Sequence, residues 1–564
     1  MIRDIKLIMA EKRLFRPNTS FVVFGVAAAI LITTCSSVGS DGYLVLGKAF
    51  ALRLLVLSCV IVVGFHLLGN LKVGDTDAQP HGMKADRILK DAAIILMCWI
   101  PWLIALYPAN YLGDTIISIG WVFKTLEGST GLIYDHNPVL TIYVFGAVAL
   151  FGRFVIHNMP LAFFCFVILQ SWMCSLALSL MANYARSKLC ISAMAFRVTM
   201  IFICICPLFP IWNNYLSKDS MNAPFLVVWF VIFVEGVRTN CRLFENSKAR
   251  CIQFMVISLM VCLTKKLGAY VIFPPLVILL FRAIWQSRAR RKQAGVASLA
   301  LVTVIPAAIV FVLLPHVVFP LAGIALGERY ESLAVPLQQT ARYVIDHGDD
   351  VTDEEHEEID ALLGYQTLSE RYVFWLADPV KSKITEPTDA YGPWLHAYVA
   401  EGLRHPLCYL ESFVALEKGF GAEGSAIYVR TDSSDMGDFD SVDMSDAYVR
   451  TGLSQKTSEL ASNLYAWVSA MPAIDIAFQC STYAVLLPAF LFGMTFSAKG
   501  RRRTALAFCS LPVLLSCMGV WLSPISISFD GGRYLIPLIF LSPLMLLIPL
   551  SSEFREEPPV RETE

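Results

Sequence analysis

Asp114 stands just beyond a hydrophobic run, in the stretch Leu106-Tyr107-Pro108-Ala109-Asn110-Tyr111-Leu112-Gly113-Asp114. His136 follows in Tyr134-Asp135-His136-Asn137-Pro138, where the next hydrophobic run begins. A carboxylate and an imidazole in one loop beside a bilayer surface can act on a substrate whose tail lies in lipid. Partial desolvation there raises a carboxylate pKa, and a nearby cation lowers it again. Asp114 is thus a candidate general base, or a ligand for a divalent cation such as Mg or Mn, with no other cofactor expected. The competing reading is a turn aspartate bonded to its own backbone between the turn formers Asn110 and Gly113. For His136 it is an interfacial residue marking a helix start.

Further along, cations recur where hydrophobic runs meet polar loops. Lys218-Asp219 follows Pro210-Ile211-Trp212-Asn213-Asn214-Tyr215, Lys265 and Lys266 precede Gly268 and Tyr270, and Arg533-Tyr534 follows Asp530-Gly531-Gly532. Each alone reads as a snorkelling side chain or a helix cap. Together on one face they suit an anionic headgroup or phosphate. No P-loop, dinucleotide-binding glycine fingerprint, HExxH or GxSxG is present, which argues against an ATP-driven pump and a serine hydrolase.

The elements that must position these residues are membrane spans. Of 564 residues 56% are hydrophobic and only 16% charged, with mean hydropathy +0.59, against roughly a quarter charged in a soluble protein. Runs near the ~20-residue spanning length predict an all-α polytopic membrane protein of about thirteen spans, within a range of 12–14. Their predicted positions are 21–39, 50–69, 92–107, 138–157, 159–183, 191–209, 223–241, 251–264, 269–284, 298–325, 475–497, 504–525 and 533–550. The first follows a basic flank (Arg3, Lys6, Lys12, Arg13, Arg16) and reads as a retained signal anchor.

Loops rich in Lys and Arg stay cytoplasmic. Lys72–Lys90, Arg238–Arg250, Arg288–Lys292 and Lys499–Arg503 are such loops. They predict a plasma-membrane protein with its N-terminus inside and with loop 108–137 and the hydrophilic segment 326–474 outside. Two full crossings at 138–157 and 159–183 would invert everything downstream. One of them is therefore expected to be re-entrant, or the pair to form a long broken helix.

Four blocks follow: 1–91, two spans and a cytoplasmic linker; 92–325, the membrane core with loop 108–137; 326–474, a mainly helical outer segment; and 475–564, three spans and a charged tail. Between Asp114 and His136, apolar residues mixed with Ser118, Lys124 and Glu127 predict a short interfacial helix. Thr352-Asp353-Glu354-Glu355 predicts a capping box opening a helix to about Leu363. The acids of Asp432–Asp446 read as a flexible loop, because Ser434 and Met436 stand where an EF-hand needs oxygen ligands of the Asp or Asn type. Among fifteen cysteines only Cys408 falls in the outer segment, so no disulfide framework holds it.

Taken in order, these pieces resemble the GT-C superfamily of membrane glycosyltransferases, closest to a poorly characterised bacterial branch. The resemblance spans about residues 92–550. It is carried by Tyr107-Pro108 to Asp114, His136-Asn137-Pro138-Val139, Lys218-Asp219, Lys265-Lys266-Leu267-Gly268 with Tyr270, Val335-Pro336-Leu337-Gln338-Gln339-Thr340-Ala341-Arg342, and Arg533-Tyr534. The family's paired histidine is His136-Asn137 here, and its basic-Asn-Asn-Gly is Lys265-Lys266-Leu267-Gly268. The resemblance implies inverting transfer of a sugar from a polyprenyl-phosphate donor to a glycan, lipid or protein acceptor on the outer face, with no nucleic-acid partner. Asp114 would then be catalytic. His136, Lys218, Asp219, Lys265, Lys266, Tyr270, Gln338, Gln339, Arg533 and Tyr534 would bind substrate at the membrane surface. The rival classes are a lipid-linked saccharide transporter or flippase and a non-catalytic cell-envelope assembly protein.

Overall fold

A computed structural model describes residues 18–555 apart from 76–77, 127, 129–132, 246, 291–293, 387, 430–449, 451 and 528. The basic flank Arg3–Arg16, the pair Arg291-Lys292 and the acidic run Asp432–Asp446 lie outside the described residues. The described chain is helical, with four strands of two or three residues: β1 (Asn110–Tyr111), β2 (Ile133–Asp135), β3 (Tyr215–Leu216) and β4 (Ile324–Leu326).

Among the described residues, nine helices are long and apolar enough to cross a membrane, which makes this an all-α polytopic fold. The count becomes ten if Ala193–Ile205 and Leu208–Asn214, bent by 44°, form one span. The bend has a cause in the sequence. Pro207 lacks an N–H and forces Cys206 into extended backbone (ψ 115°). Further apolar runs form helices shorter than these nine, such as Val139–Phe154, Thr482–Ser497 and the 17-residue Lys248–Thr264.

Helix ends gather at two faces. At one, the Asp75 N–H donates to the Cys190 carbonyl, Arg238 pairs with Glu553, and the Ser552 hydroxyl donates to the Asp75 carbonyl. The other holds Asp114 and the segment from Leu326 onward. Helix Met159–Ser187 joins the two. It starts with Phe163 against Tyr111 and Phe164 against Tyr107, and ends with Asn183 donating to Asp91 and the Ser187 carbonyl accepting from His81. Helix Val139–Phe154 begins beside Asp114 and returns to that same face. A Cβ on Gly152 would lie 2.8 Å from Met159 Cα, and the Arg153 guanidinium lies 5.2 Å from the Phe123 ring centroid. At 16 residues it is the shorter of the two, below the length of the candidate spanning helices.

The segment from Leu326 onward has its own core, built around Leu337, Ala341, Ile359, Leu363, Trp394 and Ala397. The capping box forms as expected. The Thr352 side chain accepts from the Glu355 N–H at 3.2 Å, and the Glu355 carboxylate accepts from the Thr352 N–H at 3.0 Å, opening helix Asp353–Leu363. All fifteen cysteines are free thiols.

Candidate active site

Short strands bring distant loops into register. β1 pairs in parallel with β3, placing Asn110 opposite Tyr215 and Tyr111 opposite Leu216. Each chain thereby satisfies backbone groups that burial would otherwise leave unpaired. The Thr115 hydroxyl donates to the Leu216 carbonyl and extends that join. β2 pairs in parallel with β4, so Asp135 lies opposite Leu326, and the loop carrying His136 meets the outer segment.

Two helix starts then face each other. Asp114 is in the first turn of Gly113–Leu126, where the helix dipole favours a carboxylate. Ser217 caps Lys218–Arg238 by accepting from the Ser220 N–H. Lys218 begins that helix, an end the dipole makes unfavourable for a cation, and it is held by other groups. Its Nζ donates to Asp114 Oδ2 at 2.9 Å and to Asn137 Oδ1 at 2.7 Å. The Arg533 Nη1, from the start of the last span, donates to the same Asp114 oxygen at 2.9 Å. Asn137 closes the ring, its amide donating to the Asp114 carbonyl (3.1 Å) and to Ser118 Oγ (3.0 Å). A narrow cleft of about 10 Å³ lies here, lined by Asp114, Ser118, Asn137, Thr141, Lys218 and Arg533.

Burial alone would raise the Asp114 pKa. Lys218 and Arg533 outweigh it and hold the carboxyl well below the usual carboxylate range. Burial and the Lys218 charge push His136 below the ordinary histidine value, against the opposing pull of Glu331 and Asp114. The imidazole is therefore neutral near pH 7, and its ring faces two cations and two carboxylates.

Two further ion pairs flank this centre. Lys265 pairs with Asp219, both side chains buried, and the ammonium lies 5.9 Å from the Tyr534 ring centroid. Lys266 pairs with Asp135 at 2.9 Å and is largely exposed. So Asp114, Lys218 and Arg533 meet directly, with His136, Asp219, Lys265, Lys266 and Tyr534 around them. Three expected residues do not join them. Tyr270 is exposed and packs edge-on against Phe311, because it lies on the outward side of helix Leu267–Arg290. Gln338 donates to the Val373 carbonyl, and Gln339 bridges the Tyr409 carbonyl and the Tyr398 hydroxyl. Both side chains are engaged within the outer segment, Gln338 buried and Gln339 half-buried.

Sequence reasoning missed Asn137 as a ligand of Lys218, although it passed over the residue in the His136-Asn137-Pro138 motif. It also missed Arg450. That guanidinium donates to the carbonyls of Leu106 (2.9 Å), Tyr107 (3.0 Å) and Ala109 (2.8 Å) and to Asn110 Oδ1 (2.7 Å). It ties the outer segment to the loop that carries Asp114. Nothing in its sequence neighbourhood marks it, since the partners are backbone atoms more than three hundred residues away.

At Asp114 a divalent cation would have to displace two bound cationic side chains. The oxygen it would use already accepts from two cationic side chains, and the nearby carboxylates Asp219 and Asp135 are each held by a lysine. Among the described residues, the His and acidic groups close enough to share an ion are His347, Asp350 and His405, and Glu354, Glu358 and His396, all in the outer segment.

A family model described as a family of unknown function, DUF6020, matches residues 127–561. The chain belongs to that family. Lys218, Asn137, Arg450 and Arg533 lie within the matched residues, and Asp114 precedes them. No curated protein and no solved structure matches the chain.

Proposed function

We propose that this protein is an inverting glycosyltransferase of the GT-C kind. It would take a sugar from a polyprenyl-phosphate donor and place it on a glycan, lipid or protein acceptor at the outer face of the plasma membrane. The observation that carries the reading is the meeting of Asp114, Lys218 and Arg533 on one carboxylate oxygen, from three segments far apart in sequence, at the edge of the apolar helices. A carboxylate for an acceptor hydroxyl and two cations for a phosphate are what such a transfer needs.

In this reading the acceptor hydroxyl gives its proton to Asp114 as its oxygen bonds the anomeric carbon. The bond from that carbon to the phosphate oxygen breaks, and its electron pair leaves with the polyprenyl phosphate. Lys218 and Arg533 offset the charge gathering on that leaving group. An apolar groove of about 620 Å³ lined by Leu68, Val198, Phe202, Leu487, Pro543 and Leu546 suits a hydrocarbon chain. The opposite face collects Lys72, Arg186 and Arg238, which supports a cytoplasmic assignment for it by the positive-inside rule. The N-terminus is then cytoplasmic and residues 326–474 extracytoplasmic.

Incubating the purified protein with radiolabelled polyprenyl-phosphate sugar tests the proposal. Release of free polyprenyl phosphate and labelling of an acceptor are expected. Movement of intact donor between leaflets without its cleavage would make the protein a transporter. Binding with neither cleavage nor movement would make it an assembly factor.

A further inference from the structure

The ground-state arrangement poses a problem for a base. Asp114 Oδ2 accepts from Lys218 and Arg533 at 2.9 Å each, and a carboxylate so held is a poor proton acceptor. These same two cations are the groups a donor phosphate would seek. We infer that the site is held off until a phosphate draws Lys218 and Arg533 away from Asp114, so that the donor arms the base and must bind before the acceptor is activated. This inference rests on the proposed glycosyl transfer.

The surroundings favour such an exchange. The side chains of Asp114, Lys218 and Arg533 are 27%, 21% and 12% exposed, so a phosphate oxygen can approach both cations from outside. Lys218 keeps a neutral partner, Asn137 Oδ1, through the exchange, and Arg533 stays anchored beside the Tyr534 hydroxyl at 3.5 Å. The charged and titratable groups facing Asp114 are Lys218 from helix Lys218–Arg238, Arg533 and Tyr534 from the last span, and His136 from its loop. His136 is held neutral and supplies no third cation. Once the two cations turn to phosphate, less of the effect of burial on Asp114 is offset and its proton affinity rises. With no donor present, a hydroxyl or water near Asp114 is left unactivated, which guards against idle hydrolysis.

The test is binding of undecaprenyl phosphate and, separately, inorganic phosphate to the detergent-purified full chain. Asp114 and phosphate compete for the same cations. Asp114→Asn should therefore bind undecaprenyl phosphate on the order of tenfold tighter, a modest share of what one like charge at contact is worth in a partly exposed site. Lys218→Met and Arg533→Gln should each bind it more weakly by a comparable factor. Unchanged or weaker binding by Asp114→Asn, with wild-type binding intact, overturns the exchange and leaves the donor reading standing. Absence of wild-type binding to undecaprenyl phosphate, or binding to inorganic phosphate alone, overturns the donor reading itself. A wild-type measurement covers the case where Asp114→Asn does not fold. Labelling of Asp114 by a carbodiimide, which attacks the protonated carboxyl, should rise several-fold when undecaprenyl phosphate is added. No rise overturns the exchange.

Discussion

Lys218 and Asp219 are consecutive residues of one helical turn, and they enter ion pairs of opposite character. Lys218 joins Arg533 on Asp114, whose side chain is 27% exposed and opens on a cleft. Asp219 pairs with Lys265, and its own side chain is 1% exposed. The first cluster carries one more positive charge than negative and can be reached from outside. The second is neutral and sealed. Burial and charge balance, rather than residue type, thus separate a group poised to meet an anionic ligand from one that locks helix Lys218–Arg238 to the loop before Leu267–Arg290.

The largest effect that could break this contrast is on turnover. Asp114→Asn should lower sugar transfer by about 10²–10⁴-fold, the usual worth of general-base help, in protein that still folds although it gives up the stabilisation the ionised Asp114 supplies. Asp219→Asn should act in the other direction, costing stability before it costs chemistry. If both variants lose transfer equally while both stay folded, the two clusters are one site and the contrast fails.

Next comes stability. Asp219→Ala leaves Lys265 buried without its partner and should cost about 3–5 kcal/mol, whereas replacing the pair together with Leu and Met should recover much of that loss. Unfolding followed in mixed micelles measures both. A loss below about 1 kcal/mol for the single variant would place Asp219 in contact with water.

Arg450 extends the contrast to the outer segment. Arg450→Ala removes the donor shared by three carbonyls and the Asn110 amide oxygen, which should cost about 1–3 kcal/mol locally. Displacing the Asp114 loop should also slow transfer by up to about 10²-fold. Faster hydrogen exchange confined to residues 106–112 is the expected signature, and unchanged exchange there would remove Arg450 from the positioning of Asp114.

The pH dependence separates the two titrating groups of the open cluster. Asp114 has a folded pKa below its unfolded value, so its stabilisation is present above about pH 4 and is lost as pH falls below that. His136 also has a lowered folded pKa. The unfolded ring protonates first, and stability falls as pH drops below about 6.5. Melting points between about pH 2 and 8 should thus decline toward acid in two stages. Asp114→Asn should remove the more acidic stage and keep the other. Loss of both in that variant would mean that the two groups titrate as one.

How much of this was legible in sequence follows from the range of the interactions. Local features were readable: the capping box at Thr352 and a short helix after Asp114 both rest on neighbouring residues. The ordered motifs also pointed to Asp114, Lys218 and Arg533, which the fold brings together. The partners could not be read. Whether Lys218 faces Asp114 or Asp219 faces it depends on the β1–β3 register, set by strands of two residues with no signature of their own. Tyr270, Gln338 and Gln339 carried suitable chemistry, but helix rotation and packing turned them elsewhere. Hydropathy marks apolar runs without marking where a proline or a short helix divides one, so helix lengths could not be read from it.

The smallest expected effect is the control on the whole comparison. Lys266 pairs with Asp135 at 2.9 Å, as close as Lys218 to Asp114, yet the Lys266 side chain is 44% exposed. Distance alone would rank the two pairs together. Exposure ranks Lys266 far lower, since water screens the pair and the long side chain loses freedom to make it. Lys266→Ala should therefore shift stability by no more than about 1 kcal/mol. Because Asp135 sits one residue from His136, its loss should show more clearly as a change in the upper of the two acid transitions than as a fall in the melting point at pH 7. A loss at pH 7 as large as that of Asp219→Ala would mean that the rim of the site is as dry as its base, and exposure would no longer distinguish the pairs.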